Sequence, residues 1–471
     1  MANASDPNGV TGTLATWLAK LSLDDVPESV RERAKYLLLD GIGCALVGAK
    51  LPWSVLGAEA VMRFEGPGDK TIIGWGRTVS GPAAALLNSS FIQGFELDDF
   101  HPTAPLHSAS LLLPALIATA EDVDGVSGSD FLLAAIKGFE TGPRVGLALH
   151  GAEMLSRGWH SGTVFGTHAS AAAAGSLLGL DAAGYEDALG LAATQSGGLM
   201  AAQFESMGKR MQHGFAVRNG LYAANLAAAG YTGIKRVFER EYGGFLSVFG
   251  EGHAPDASLI VDALGERWEI PRIVVKPYAA MGALHAPLDA LFEVAGRRPL
   301  RADDIAHVDV YMSHAAYHHG WWRLQRPVEP VGAQMNVAYA LAVAILDGAA
   351  LLAQFTPQRI AADDVWALIP KIEAHHEPEF DKAGPRGRGA TRLVVRFADG
   401  TSEECEVAAS RGVLSPLPAH DVQAKFRTLT RDVVAPERAA KIESMVLSLD
   451  ALADVQELIA LLAPPVEPAF H

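Results

Sequence analysis

The sequence predicts a mainly α protein with an α+β part: a large all-helical domain plus a smaller α/β lid domain. Three observations carry this. Apolar residues recur at helical spacing through the first half of the chain, where strand signals are scarce before residue 270. From "RWEIPRIVVKPY" onward, β-type runs alternate with helical ones. The last stretch is helical again. The expected division is 1–269 as the helical domain, 270–412 as the lid, and 413–471 as C-terminal helices returning to the first domain. No internal repeat of fixed period is visible.

The elements follow in order. In "TLATWLAKLSL", Leu14, Trp17, Leu18 and Leu21 share one helical face. "DDVPESVRERAKYLLLDGIGCALVGA" opens with acids and Pro27, a helix-start pattern, and turns apolar all round, so it belongs at the centre. Its "GIGCALVG" sits within a helix and follows no strand, so it is discounted as a dinucleotide loop. Further helices are expected at 80–95, 106–120, 128–149, 163–178, 185–195 and 213–229. In the second region "RIVVKPY" reads as a strand, "HAPLDALFEVAGR" as a helix and "IAHVDVYMS" as a strand. "GAQMNVAYALAVAILDG" reads as one buried helix. "TRLVVRFADGTSEECEVA" reads as a hairpin turning at Asp399-Gly400. The Gly- and Arg-rich "FDKAGPRGRG" reads as an exposed loop. "APERAAKIESMVLSLD" and "ADVQELIALLA" close the chain as amphipathic helices.

The 471 residues are 49% hydrophobic and 20% charged, an ordinary globular balance. The net charge of −16 argues against nucleic acid or an anionic membrane as partner, since both need a broad basic face. A small anionic substrate needs only a local basic pocket. Two cysteines, Cys44 and Cys405, form no metal or redox motif and point to a reducing, cytoplasmic setting. The first residues show neither a basic nor an apolar leader segment.

Five polar stretches interrupt the apolar pattern. "GFELDDFHPTAPLHSAS" holds Glu96, Asp98, Asp99, His101 and His107. Capping acids account for the aspartates; His107, at the entrance of an apolar helix, is better explained by chemistry on an anion. No second cluster completes a metal site, so no metal is expected. "SRGWHSGTVFGTHASAAAAG" places His160 before a second small-residue helix. "ESMGKRMQHGFAVRNG" carries Lys209, Arg210, Gln212, His213 and Arg218, a basic cluster in an acidic chain. "VVKPYAAMGALHAPLDAL" brings Lys276 and His285, and "VYMSHAAYHHGWW" brings His314, Tyr317, His318 and His319. Each alone is an ordinary polar loop. Together they point to an anion pocket between a helical domain and a lid. No G-x-S-x-G, H-E-x-x-H or P-loop competes with this reading.

These stretches resemble the MmgE/PrpD family, which includes 2-methylcitrate dehydratase and cis-aconitate decarboxylase. The markers are "LLLDGIGCALVGA", "FELDDFHPTAPLHSAS", "GWHSGTVFG", "KRMQHGFAVRNG" and "KPYAAMGALHAPLDAL". The resemblance runs nearly full length and is nearest to fungal cis-aconitate decarboxylases. It implies a cofactor-free cleft in a homodimer, acting on a small polycarboxylate. His107, His160 and Lys209 would be catalytic, with Glu96 beside them and Tyr317 reaching from the lid. Asp98, Arg210, Gln212, His213, Lys276 and His285 are expected around the substrate. Met281 stands where animal decarboxylases carry a catalytic histidine. The expected reaction is decarboxylation of cis-aconitate to itaconate. Dehydration of 2-methylcitrate or a related acid, isomerisation, and carboxylate binding without turnover are the alternatives.

Overall fold

The computed structural model describes residues 2–383 and 388–470. Helices α1 (Val10–Lys20), α2 (Glu28–Gly48), α3 (Pro52–Glu65), α4 (Gly81–Ile92), α5 (Ser108–Ala120), α6 (Gly128–Ala148), α7 (Ser161–Leu177), α8 (Ala182–Ala193) and α9 (Gly208–Ala228) build the first region. A short hairpin, β1 (Lys70–Ile72) and β2 (Arg77–Val79), lies beside α4. α7 is the hub, packed against α5, α6, α8 and α9. Its run of alanines permits this. At Gly220 of α9 a Cβ would come within 2.3 Å of the Ser170 Cβ, so only glycine lets the two helices approach. As expected, α2 is buried all round from Leu37 to Gly48.

The second region holds a four-stranded sheet in the order β4-β3-β5-β6. β3 (Ile305–Met312) pairs parallel with β4 (Ile372–His376) and antiparallel with β5 (Thr391–Phe397). β5 turns back into β6 (Ser402–Val407) through Gly400 at φ 85°. Helices α10 (His285–Arg297) and α12 (Val337–Asp347) pack on this sheet, and α11 (His314–Gly320) follows β3. The fold is therefore mainly helical with a small mixed sheet.

Two elements differ from expectation. "RIVVKPY" is not a strand: it makes one bridge, Val274 to Phe100, because no other extended neighbour lies beside it. The helix expected over 332–348 is broken at Asn336, whose side chain accepts from the N–H groups of Ala338 and Tyr339 at 3.0 and 3.2 Å. An asparagine satisfies these orphan donors better as a cap than inside a helix. Of the glycine-arginine loop, residues 384–387 lie outside the described residues, and Arg388 is half-buried rather than exposed.

The chain ends in α13 (Ala419–Thr430), α14 (Pro436–Leu447) and α15 (Gln456–Leu462). α13 and α14 pack on α2. Lys425 of α13 meets Asp40 of α2 at 2.6 Å, both buried, and donates to the Leu97 carbonyl. No single helix among the described residues is long and apolar enough to cross a membrane. α2 and α3 qualify only as a pair bent by 84°, and α2 lies in the protein core.

Removing one partner of a buried ion pair strands the other. Lys425→Met should lower stability by about 3–5 kcal/mol, read as the urea midpoint. The double variant Asp40→Leu/Lys425→Met should recover most of it, because no unpaired charge remains.

Candidate active site

Three helices start at one place. His107 immediately precedes α5, His160 immediately precedes α7, and Lys209 lies in the first turn of α9. The positive ends of these helices converge there. The acid that caps α5 is Asp99, which accepts from Ser108 N–H at 3.0 Å and Ala109 N–H at 3.1 Å. Asp98 is thereby left for His107, whose Nδ1 lies 3.0 Å from its Oδ1. This leaves Nε2 of His107 for the cavity. The His160 N–H donates to the Gly198 carbonyl at 3.0 Å.

His213 lies beneath both, with ring centroids 5.0 Å from His107 and 5.1 Å from His160. Ser110 Oγ lies 2.8 Å from the His107 carbonyl and 2.7 Å from His213 Nδ1, and so links the two histidines. Nε2 of His213 is buried without a partner among the described residues. Burial, with His107 next, holds His213 well below the ordinary histidine range. Burial and Lys209 push His160 down to about 3. Both rings are neutral near pH 7.

Glu96 is the electrostatic centre. It ends the short turn after α4 in the left-handed region, φ 56°, which a non-glycine residue occupies only when its surroundings enforce it. Lys209 bonds one carboxylate oxygen and Lys276 the other, at 3.0 Å for Lys276. Burial alone would raise the Glu96 pKa, but Lys209, Lys276 and His107 outweigh it and hold the carboxylate well below its usual range. Lys209 is itself lowered by burial despite Glu96. The turn is pinned through its carbonyls. Gly94 accepts from Arg210 at 2.7 Å and from Trp53 at 3.0 Å, and Phe95 accepts from Gln334 at 2.7 Å.

These groups edge a cavity of about 190 Å³. That is smaller than the roughly 300–1,000 Å³ of drug-sized sites and suits a small organic acid. Glu96, His107, His160, Lys209 and Lys276 line it. Phe100, Leu106, Leu155, Met200, Met281 and Met335 give it apolar walls.

Other residues expected around the substrate stand elsewhere. Asp98 sits behind His107. Arg210, one residue from Lys209, turns away to Gly94 and stacks 4.0 Å over Trp53. Gln212 holds the Leu199 backbone through both its N–H, at 2.6 Å, and its carbonyl, at 3.2 Å. His213 is under the floor. His285 is fully buried on the Ala280 carbonyl at 3.0 Å. Tyr317 packs toward the apolar core, while His319, two residues and about 200° further round α11, lines the cavity. Arg388 also lines it, as does His101, whose Nδ1 accepts from the Ala104 N–H and whose Nε2 meets Glu269 at 3.1 Å. His101 stood in the first polar stretch without an assigned role, and Arg388 carried no local signal beyond residue type. Among the described residues, no three histidine, cysteine or acidic side chains are grouped to hold a metal ion.

Residues 12–258 match the model of the MmgE/PrpD N-terminal domain, and residues 278–451 that of the MmgE/PrpD C-terminal domain. The chain belongs to the MmgE/PrpD family. Within this family it is 47% identical to the cis-aconitate decarboxylase-like protein oryM of Aspergillus oryzae, covering 98% of each chain. It is 44% identical to the cis-aconitate decarboxylase of Aspergillus terreus, covering 99% of this chain and 98% of that one. The human cis-aconitate decarboxylase is 26% identical over 98% of this chain and 95% of its own.

The buried histidines set an acid limit on this MmgE/PrpD protein. His160, His168 and His285 are each held at about 3 by burial, against an ordinary 6.5. As pH falls below 6.5 the unfolded chain takes up these protons and the folded one does not. Stability is thus full above pH 6.5 and declines toward pH 3, by up to about 1.36 kcal/mol per pH unit for each group. His168 lies between Phe238 and Phe245, away from the cavity, with neither ring nitrogen hydrogen-bonded among the described residues. His168→Leu should therefore narrow the gap between urea midpoints at about pH 7.5 and about pH 5. An unchanged gap would exclude His168 as a source of acid sensitivity.

Proposed function

We propose that this protein is a carboxy-lyase that decarboxylates cis-aconitate to itaconate, without a cofactor. Identity of 44% to a fungal cis-aconitate decarboxylase and 47% to a fungal decarboxylase-like protein, over nearly the whole chain, carries the reading. The cavity supports it by combining charged groups, Glu96, Lys209, Lys276 and Arg388, with the apolar side chains of Met200, Met281 and Met335.

The chemistry asks for such a combination. The carbon–carbon bond to one carboxylate breaks, and its electron pair forms the new terminal double bond. The old double bond's electrons move to the carbon beside a remaining carboxylate, which then takes a proton. A leaving carboxylate in an apolar place loses the hydration that would hold it as a charge. Lys209 and Lys276 stabilise the charge that develops on the remaining carboxylate. His107, ion-paired through Nδ1 to Asp98, delivers the proton from Nε2. Neutral His160 orients the substrate by hydrogen bonding. Asp98, Arg210, Gln212 and His213 act by positioning these groups.

Proton NMR of the protein with cis-aconitate alone should show the vinylidene signals of itaconate. His107→Ala should lower kcat by roughly 10²–10⁴-fold while the protein stays folded. Water loss from 2-methylcitrate, with cis-aconitate untouched, would replace this reading with the dehydratase one.

We also propose a homodimer joined through α3 and α9, with residues 270–412 acting as a lid over the helical body. Leu56 and Phe64 of α3 and Phe215, Tyr222 and Leu226 of α9 are exposed. The two helices meet where Met211 lies against Gly57. Large apolar side chains exposed on two helices that touch are what an interface between copies would cover. Light scattering should give twice the 49.7 kDa chain mass. Tyr222→Asp should shift the protein toward monomer. A monomeric wild-type protein would remove the dimer.

A further inference from the structure

A cis-aconitate trianion brings three negative charges to a cavity whose cations are mostly committed. Lys209 and Lys276 both bond Glu96. Asp98 faces His107 at 3.0 Å and Lys276 at 3.9 Å. Two carboxylates against two ammonium groups leave this wall neutral, or singly positive once His107 is protonated. Arg210 is spent on Gly94 and Trp53, outside the cavity.

One lining cation is paired with no carboxylate among the described residues. Arg388 precedes β5 and is half-buried. Its Nη2 donates to the Ala152 carbonyl at 3.1 Å, and no other acceptor bonds its side chain among the described residues. Four of the five N–H donors of a guanidinium are therefore unused. Glu153 is the acid nearest in effect, but it is exposed and not within ion-pairing distance. A half-buried guanidinium without an anion is costly, and a planar carboxylate fits its fork. Ser313 Oγ fixes the residue by donating to the Arg388 carbonyl at 2.8 Å. Arg388 thus reaches from the sheet region to Ala152 of the helical body while lining the cavity.

We propose that Arg388 binds one carboxylate of the substrate and selects for a polycarboxylate over acids lacking that group. This rests on the reading of the cavity as a polycarboxylate site. It makes substrate binding and contact between the two regions a single event, because one guanidinium serves both.

The test compares wild type with Arg388→Gln and Arg388→Lys, using cis-aconitate turnover and calorimetric binding of tricarballylate, a saturated tricarboxylate. Arg388→Gln should raise KM and the tricarballylate Kd by roughly 10–100-fold. kcat should move far less, since the group binds a carboxylate that does not react. Arg388→Lys should fall between, because an ammonium keeps the charge but not the fork. Among dicarboxylates that each lack one of the three groups, one should bind wild type and Arg388→Gln alike. Unchanged KM and Kd with a lowered Tm would overturn the proposal, leaving Arg388 a tie to Ala152 only. Wild-type binding of tricarballylate without turnover of cis-aconitate would remove the decarboxylase reading yet leave Arg388 decided by the binding arm. If wild type binds none of these acids, both fall.

Discussion

A carboxylate taken out of water costs several kcal/mol unless cations meet it, and Glu96 is met by two. Lys209 arrives from the first turn of α9, and Lys276 from the segment that leads into the second region. Neither is a sequence neighbour, so the cluster forms only when the two regions have closed on each other. The backbone at Glu96 accepts a left-handed conformation to make this possible. Arg210, Trp53, Gln334 and Lys425 hold the adjacent carbonyls, so the strain is borne by a rigid frame. What results is a pair of ammonium groups fixed in direction before any substrate arrives. Such charges need little reorganisation when a reaction places negative charge beside them.

The histidines complement this wall. His160 and His213 are kept neutral by burial, and so serve as donors and acceptors without adding charge. His107 is the member partly open to the cavity, with 17% of its side chain exposed, and it alone of the three faces an aspartate. Met200, Met281 and Met335 add low-polarity surface to the lining, on which a carboxylate is poorly solvated. Met281 belongs to that surface and contributes an apolar wall.

Much of the site was legible because its residue types stand at helix entrances. His107, His160 and Lys209 each interrupt an otherwise apolar run, and an apolar helix tolerates such a residue at its start far better than within. Lys276 was legible as a lysine inside a β-type run. Adjacency misled at Arg210: consecutive residues on a helix point about 100° apart, so a cluster in sequence is not a cluster in space. Tyr317 and His319 exchanged places for the same reason. Arg388 was hidden by its setting, since "GPRGRG" has the composition of a solvated loop and only the path of β5 beside β3 returns it to the cavity. The His101–Glu269 pair joins residues far apart in sequence, and local pattern says nothing of such pairs.

Lys425 gives the site a schedule. The loop that carries Asp98 and His107 is made early, yet the cation that settles Asp40 and the Leu97 carbonyl behind it comes from α13, near the end of the chain. During synthesis at about 5–20 residues per second, the first helices wait on the order of tens of seconds for that lysine. A chain that ends between residues 388 and 425 holds every cavity-lining residue but leaves the buried Asp40 without its lysine. The wall that carries Glu96 and Asp98 is thus closed from behind by the last part of the chain to be made.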